Sequence, residues 1–163
     1  MRIGVLSDTH IPTRAKYLPA ALFAIFEGVD LLLHAGDLVV EDVLMELKTI
    51  APVEAVAGNM DPPSLKQKLG RKKILELAGF RIGLIHGDYG SERHKTPQRA
   101  LEAFEREQVD CVVFGHSHQP YLQKHNGILL FNPGSPTDRR REPRPSCGLL
   151  TLGKKISAEI IYL

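Results

Sequence analysis

The sequence is poor in cysteine: only Cys111 and Cys147 occur among 163 residues. Two cysteines build no disulfide framework, and Cys111 lies in an apolar run, where a free thiol behaves as a small hydrophobe. That usage suits a reducing compartment. Long apolar runs are also missing, and nothing approaches the roughly 18 residues of a membrane span. The opening "MRIGVLSDTH" carries one charge and a short strand-like run, without the apolar length of a secretory signal. The expectation is a cytoplasmic chain without membrane contact. An excess of either charge is lacking too: 21 basic against 19 acidic side chains leave a net +2, which argues for no polyanionic partner. No P-loop or G-x-G-x-x-G follows the first apolar run, which removes those modes of nucleotide binding, and without H-E-x-x-H a zincin protease has no basis.

What is present is an ordinary globular composition, 43% hydrophobic and 25% charged. The length suits one domain over residues 1–163 with a core of its own. Short apolar runs alternate with segments of helical spacing. The runs cover 2–7, 30–37 and 52–59, and the spacing predicts helices over 19–28 and 41–50. Residues 72–88 read as two strands joined at Ala78-Gly79, a hairpin signal. Residues 96–108 read as a helix with Thr96 as N-cap and Pro97 in its first turn. Another apolar run, 110–118, follows, and then short strands over 120–125, 127–132, 147–153 and 155–163. The βαβαβ opening predicts a parallel sheet, and the strand-rich second half predicts a second, partly antiparallel one.

The early strands share a feature that packing does not require. Each ends in side chains able to bind a cation: Asp8 and His10, Asp37, Asn59, His86, and His116 with His118. In open α/β sheets, ligands bind beyond the carboxyl ends of the strands. Strands lying side by side therefore bring three oxygen donors and four imidazoles to one cleft. That mixture suits hard-to-borderline divalent ions, and seven donors exceed one tetrahedral site. Gly36, Gly58, Gly87 and Gly115 adjoin these residues, where a sharp turn or a close backbone approach is needed.

The ordered set "DTH", "GD", "GN", "HGD" and "GHSH", followed by "NPGS" at 132–135, resembles the calcineurin-like metallophosphoesterases, and their small phosphodiesterase branch in particular. The resemblance implies an α/β fold: a four-layer α/β-β/α sandwich of two mixed sheets flanked by helices, with metals at the strand C-terminal ends. It implies that Asp8, His10 and His118 hold one metal, that Asn59, His86 and His116 hold a second, and that Asp37 bridges the two. The cofactors implied are two divalent ions, Mn²⁺ first, with Fe²⁺, Ni²⁺ and Zn²⁺ as alternatives. The activity implied is phosphodiester hydrolysis, in which a hydroxide bridging the dinuclear site attacks phosphorus in line. Asp37, Asn59 and His116 then serve catalysis through that hydroxide and through positioning of the phosphate. Asp61 and Asp88 are the nearby carboxylates that could orient the histidines. The substrate expected is a small phosphodiester or nucleotide-like ester, and the branch implies a homodimer or higher homo-oligomer.

One departure is informative. Many members carry histidine after the Gly-Asn, thought to assist the leaving group, whereas "GNMDP" has Met60 there. Methionine donates no proton, and general-acid help is typically worth about 10²–10⁴-fold. The small phosphodiesterase branch is similar in lacking that histidine. The β-lactamase-like hydrolases fit less well, because "GHSHQP" stops short of H-x-H-x-D-H. His34 reads as a packed residue supporting the site. The segment 137–146, with Arg139, Arg140, Arg141 and Arg144, reads either as a solvated loop or as an anion-steering rim beside the metals. Aromatic residues do not interleave with it, so a single-stranded nucleic-acid groove is not expected. The alternative to an enzyme is a protein-assembly scaffold of the same fold, resembling the retromer subunit.

Overall fold

The chain begins with a strand that is covered on both faces. In this computed structural model, which describes residues 1–90 and 92–163, β1 (Arg2–Leu6) carries Ile3 and Val5 on one side and Gly4 and Leu6 on the other, all buried. After α1 (Ala21–Ile25) comes β2 (Leu31–His34), and after α2 (Asp42–Leu47) comes β3 (Val53–Ala55). These three strands pair in parallel, as near-continuous apolar runs separated by helical crossovers should. A third helix, α3 (Pro63–Leu69), leads into the antiparallel hairpin of β4 (Lys72–Leu77) and β5 (Phe80–Ile85). Ala78 and Gly79 both have positive φ at its turn, 49° and 83°, which matches the right-handed strand twist. A 3₁₀ turn (Arg93–Lys95) and α4 (Thr96–Glu102) precede β6 (Cys111–Val113), and then come β7 (Tyr121–His125), β8 (Ile128–Asn132), β9 (Ser146–Leu152) and β10 (Ile156–Tyr162).

Two mixed five-stranded sheets result, ordered β10-β9-β1-β2-β3 and β4-β5-β6-β8-β7. Three apolar layers separate four structural layers. Phe26, Leu22, Val43, Leu44 and Leu47 pack α1 and α2 on the first sheet. Ile3, Val5, Leu33, Ile82, Val113, Phe131 and Leu150 fill the space between the sheets. Phe104, Ala100, Ile85 and Phe114 join the α4 region to the second sheet. Each layer seats one phenylalanine on a glycine within a strand. A Cβ on Gly4 would lie 2.7 Å from the ring of Phe26, one on Gly83 2.8 Å from that of Phe104, and one on Gly148 2.3 Å from that of Phe131. At such positions the absent side chain is filled by a ring from the next layer.

Several expectations change. The final hairpin joins the first sheet, not the second, because β9 pairs antiparallel with β1, Arg2 opposite Thr151. The helices are shorter than the apolar spacing suggests. After Glu102 the amides of Phe104, Glu105 and Glu107 bond to carbonyls three residues back, a tightening that ends the α-helix well before residue 108. Lys95, not Thr96, takes the N-cap position of α4, and Thr96 is its first helical residue. The helix α3 carries little apolar periodicity in the sequence, since only Leu65 and Leu69 give it an apolar side. Its Pro63 start and its end at Gly70 (φ 71°) follow the usual asymmetry of helix ends. Among the described residues, no helix is long and apolar enough to cross a membrane. Cys111 and Cys147 are free and buried, and burial pushes both thiols up to about 12.

Candidate metal centre

The carboxyl ends of β1, β2, β3, β5 and β6 point to one side, where the two sheets meet. The loops there are tied to their neighbours within each sheet. The backbone N–H of Asp8 donates to Gly36 O, that of His10 to Asp37 O, and that of Gly115 to His86 O. The backbone N–H of His116 donates to Asp8 Oδ2 at 3.0 Å, joining the end of the first sheet to that of the second.

Four imidazoles and two carboxylates gather there. His118 Nε2 lies 3.3 Å from Asp8 Oδ1 and 3.3 Å from His10 Nε2. Asp37 Oδ2 stands 3.5 Å from His10 Nε2 on one side and 3.2 Å from His86 Nε2 on the other. Two groups of donors thus share Asp8: Asp8, His10 and His118, and Asp8, Asp37 and His86, all buried. His116 sets its ring against that of His86 at 5.2 Å, and His116 and Asn59 line the same pocket as Asp37, His10 and His118. All seven residues singled out in the sequence converge on this pocket or its floor.

The donor geometry fits cations. Bonds of about 2.0–2.2 Å from a metal to nitrogen or oxygen put neighbouring donor atoms roughly 3–3.5 Å apart. The four short separations above fall in that range, while Asp8 Oδ1 stands wider from His10 and His86, at 3.8 and 3.9 Å. Asp8 Oδ1 and His86 Nε2 are buried without a hydrogen-bond partner among the described residues. Buried polar atoms are rarely left so, and a missing ion is one of the few explanations. The outward nitrogens are occupied: His86 Nδ1 donates to Ala35 O at 2.7 Å and His118 Nδ1 to Asp138 O at 2.6 Å. That fixes the tautomer leaving each Nε2 lone pair aimed inward, as ligating histidines require.

Without a cation the site is a tight set of ion pairs. Burial pushes the His86 imidazole down, but Asp37 and the charge of Asp8 outweigh it and carry it up to about 9. Burial pushes Asp8 up, yet contact with His10 and the charges of His86 and His118 hold it well below the usual carboxylate range. Asp37 is held low in the same way by His86. For His118, burial wins and favours the neutral ring.

The local backbone is unusual. Asp8, His10, Asp37, His116 and His118 all have positive φ, between 45° and 69°. Each such non-glycine residue costs of order 1–3 kcal/mol, and such residues concentrate at functional sites. The neighbouring glycines serve close approach. A Cβ on Gly58 would lie 2.1 Å from Asp37 Oδ1, and one on Gly115 would lie 1.8 Å from Ser7 Oγ and 2.7 Å from Asp8 Oδ2.

The carboxylates expected to orient histidines do other work. Asp61 accepts backbone N–H bonds from Asp37, Gly58 and Val39, at 3.0, 2.8 and 2.6 Å, and so ties the Asp37 loop to the Asn59 loop. Asp88 pairs with Arg71. Backbone carbonyls orient His86 and His118 instead, and no side-chain signal in the sequence could have named them. His34 is buried, bonded to the N–H of Gly36 through Nδ1 and to Thr9 Oγ1 through Nε2, and burial lowers it to about 3, so it stays neutral. The "NPGS" stretch is a buttress. Asn132 Nδ2 donates to Gly115 O, and Ser135 Oγ donates to Asp8 O.

A family model described as the calcineurin-like phosphoesterase superfamily domain matches residues 1–155. The chain belongs to the calcineurin-like phosphoesterase superfamily. A probable metallophosphoesterase of Methanothermobacter thermautotrophicus is 46% identical over 162 residues, covering 99% of this chain and 92% of that protein. A phosphodiesterase of Methanocaldococcus jannaschii is 29% identical over 177 residues, covering 99% of each. Among solved structures, Vps29 of Entamoeba histolytica complexed with zinc is 23% identical and covers 99% of both chains with a TM-score of 0.78, a likeness of fold.

At the mouth of this pocket, Met60 is 56% exposed beside Asn59, and its backbone N–H donates to Asp37 Oδ1 at 2.8 Å. The arginine segment divides. Arg139 folds back on Glu142 O, and Arg144 bonds the carbonyls of Tyr162 and Leu163, away from the site. Arg140 turns to the mouth, where Arg14, unremarked in the sequence, joins it.

Proposed function

We propose that the chain is a metal-dependent phosphodiesterase that holds two divalent ions, Mn²⁺ first among them, with Fe²⁺, Ni²⁺ and Zn²⁺ as alternatives. In this reading Asp8, His10 and His118 hold one ion, Asn59, His86 and His116 hold the other, and Asp37 is shared. The observation that carries it is the position of Asp37 Oδ2, within 3.5 Å of His10 Nε2 and 3.2 Å of His86 Nε2, each from a different half of the site. When bound, a pair of ions acidifies a water between them for in-line attack and offsets charge on the phosphoryl oxygens. The chain's own contribution is orientation. Carbonyls of Ala35 and Asp138 hold two imidazoles in the ligating tautomer, and Asp61 holds the Asp37 and Asn59 loops together. Met60 offers the leaving group no proton, which favours esters whose leaving group departs as a stable anion. The family match and the named relatives support phosphoester hydrolysis as the reaction class.

The test is hydrolysis of bis(p-nitrophenyl) phosphate by metal-stripped protein with and without Mn²⁺, alongside Asp37→Asn and a count of bound ions. Turnover that needs Mn²⁺ and two ions per chain, and is lost in Asp37→Asn, is the expected result. Folded, metal-loaded protein without turnover would overturn the reading in favour of an assembly role.

A further inference from the structure

Two tripeptides carry four of the candidate donors, and both are built alike. In each, two donors flank a hydroxyl: Asp8-Thr9-His10 after β1 and His116-Ser117-His118 after β6. The flanking residues all have left-handed φ, 56° and 45° in the first and 69° and 60° in the second, and the middle residue does not. Asp8 and His10 turn to the donor cluster, while Thr9 turns into the protein. His116 and His118 line the metal pocket, while Ser117 turns away from it. Left-handed backbone is costly for a residue with a Cβ and persists only where its surroundings over-determine it.

The middle hydroxyl is held each time by the last residue of the neighbouring parallel strand. His34 ends β2, which pairs with β1, and Asn132 ends β8, which pairs with β6. His34 Nδ1 accepts the N–H of Gly36 at 3.2 Å, so the ring proton lies on Nε2, which donates to Thr9 Oγ1 at 3.2 Å. Asn132 Oδ1 accepts the N–H of Gly134 at 2.9 Å, and its Nδ2 donates to Ser117 Oγ at 3.1 Å and to Gly115 O at 2.9 Å. Each residue thus accepts from the glycine two positions on, at φ 97° and 76°, and donates to the hydroxyl between two donors. An imidazole and an amide make the same pair of bonds in the two halves of the molecule. Both are fully buried, so water cannot take the place of a lost partner.

We propose that His34 and Asn132 are equivalent positioning residues, each of which pins the hydroxyl between two metal donors and so keeps both donors turned toward the ions. The inference deepens the metal-centre reading and rests on it for its readout. It also separates the two ions. Thr9 stands between two donors to the first ion, Asp8 and His10, whereas Ser117 stands between donors to different ions, His116 and His118.

The experiment titrates the metal-free full chain with Zn²⁺ and follows the ring nitrogen signals of the histidines by NMR, with melting temperature as a control. His10 and His118 report one ion, and His86 and His116 the other. Thr9→Val keeps the shape of the side chain and the bond from Thr137 Oγ1 to Thr9 O, so it should fold. It should weaken the ion on His10 and His118 about 10–100-fold, the usual range for a support behind metal ligands, and leave the ion on His86 and His116 unchanged. His34→Asn keeps an acceptor for Gly36 but is too short to reach Thr9, and it should act as Thr9→Val does. Ser117→Ala should weaken both ions. Thr9→Ser restores the hydroxyl and should match the wild type. Unchanged affinity on His10 and His118 in folded Thr9→Val, equal weakening of both ions there, or a Thr9→Ser variant as weak as Thr9→Val would each overturn the proposal. A wild type whose rings bind no Zn²⁺ would overturn the metal-centre reading and the proposal with it. If the wild type binds two ions and the variants match it, only the clasps fall. If the pattern holds but diesters are not turned over, the phosphodiesterase reading falls and the clasps stand.

Discussion

Asp61 Oδ2 accepts the backbone N–H of Asp37 at 3.0 Å, and the same oxygen accepts that of Gly58 at 2.8 Å. One buried carboxylate thus fixes the loop bearing Asp37, the central candidate ligand, against the loop bearing Asn59. Three donors converge on its two acceptors, counting Val39. Asp61→Asn replaces an acceptor with a donor facing other donors. The expected loss is about 2–4 kcal/mol of stability, read by denaturant unfolding, together with reduced Mn²⁺ occupancy. An unchanged midpoint would show that the clip is dispensable.

The same logic of close approach applies to Gly115. An added methyl would overlap Ser7 Oγ and crowd Asp8 Oδ2, and Ser7 Oγ itself donates to Asp8 Oδ2 at 2.6 Å. Gly115→Ala should cost about 1–3 kcal/mol through overpacking and lower the affinity for the first ion more than an alanine at exposed Gly153 does. Calorimetric metal titration of the two variants decides it.

The charge state of His86 predicts a pH signature. Its folded value, about 9, lies above the ordinary 6.5. Its pairing with Asp37 and Asp8 therefore stabilises the metal-free protein fully below about pH 6.5, and that stability is lost as pH rises through 9. Ion binding requires the neutral ring, so Mn²⁺ affinity should rise across the same window and the loaded protein should escape the loss. Melting curves of metal-free and Mn²⁺-loaded protein from pH 6.5 to 10 should diverge, by about 2–4 °C for each kcal/mol. Parallel curves would refute the ion pair.

Met60 gives a test of leaving-group chemistry. It is exposed at the mouth, so Met60→His should fold normally. On phenyl esters, whose leaving group needs a proton, the variant should gain up to about 10²-fold in kcat. On p-nitrophenyl esters it should gain little. Equal gains on both would point to a change in binding.

The site was legible in the sequence because each strand ends in a donor, and strand ends are marked by apolar runs stopping at Gly, Asp or His. Asp8, Asp37 and His86 could be found without knowing the fold. Their supports could not. The groups that orient His86 and His118 are carbonyls of Ala35 and Asp138, and a backbone carbonyl leaves no trace in residue identity. The same limit hid the placement of the last hairpin, since β9 finds its partner β1 across almost the whole chain. Arg140 was legible only as one of four arginines. What distinguishes it from Arg139 and Arg144 is where the loop turns, not its type.

The glycine under Phe131 has a reach beyond packing. Phe131 belongs to the second sheet, Gly148 to the first, and the ring occupies the place of the missing Cβ. The candidate metal donors are split in the same way: Asp8 and Asp37 follow strands of the first sheet, His86 and His116 strands of the second. The distance between sheets therefore enters the spacing of donors drawn from both sheets. Phe131 acts as a gauge block. A larger residue at 148 would press on the Phe131 ring and wedge the sheets apart, and so would shift the spacing of donors it never touches from deep in the hydrophobic interior.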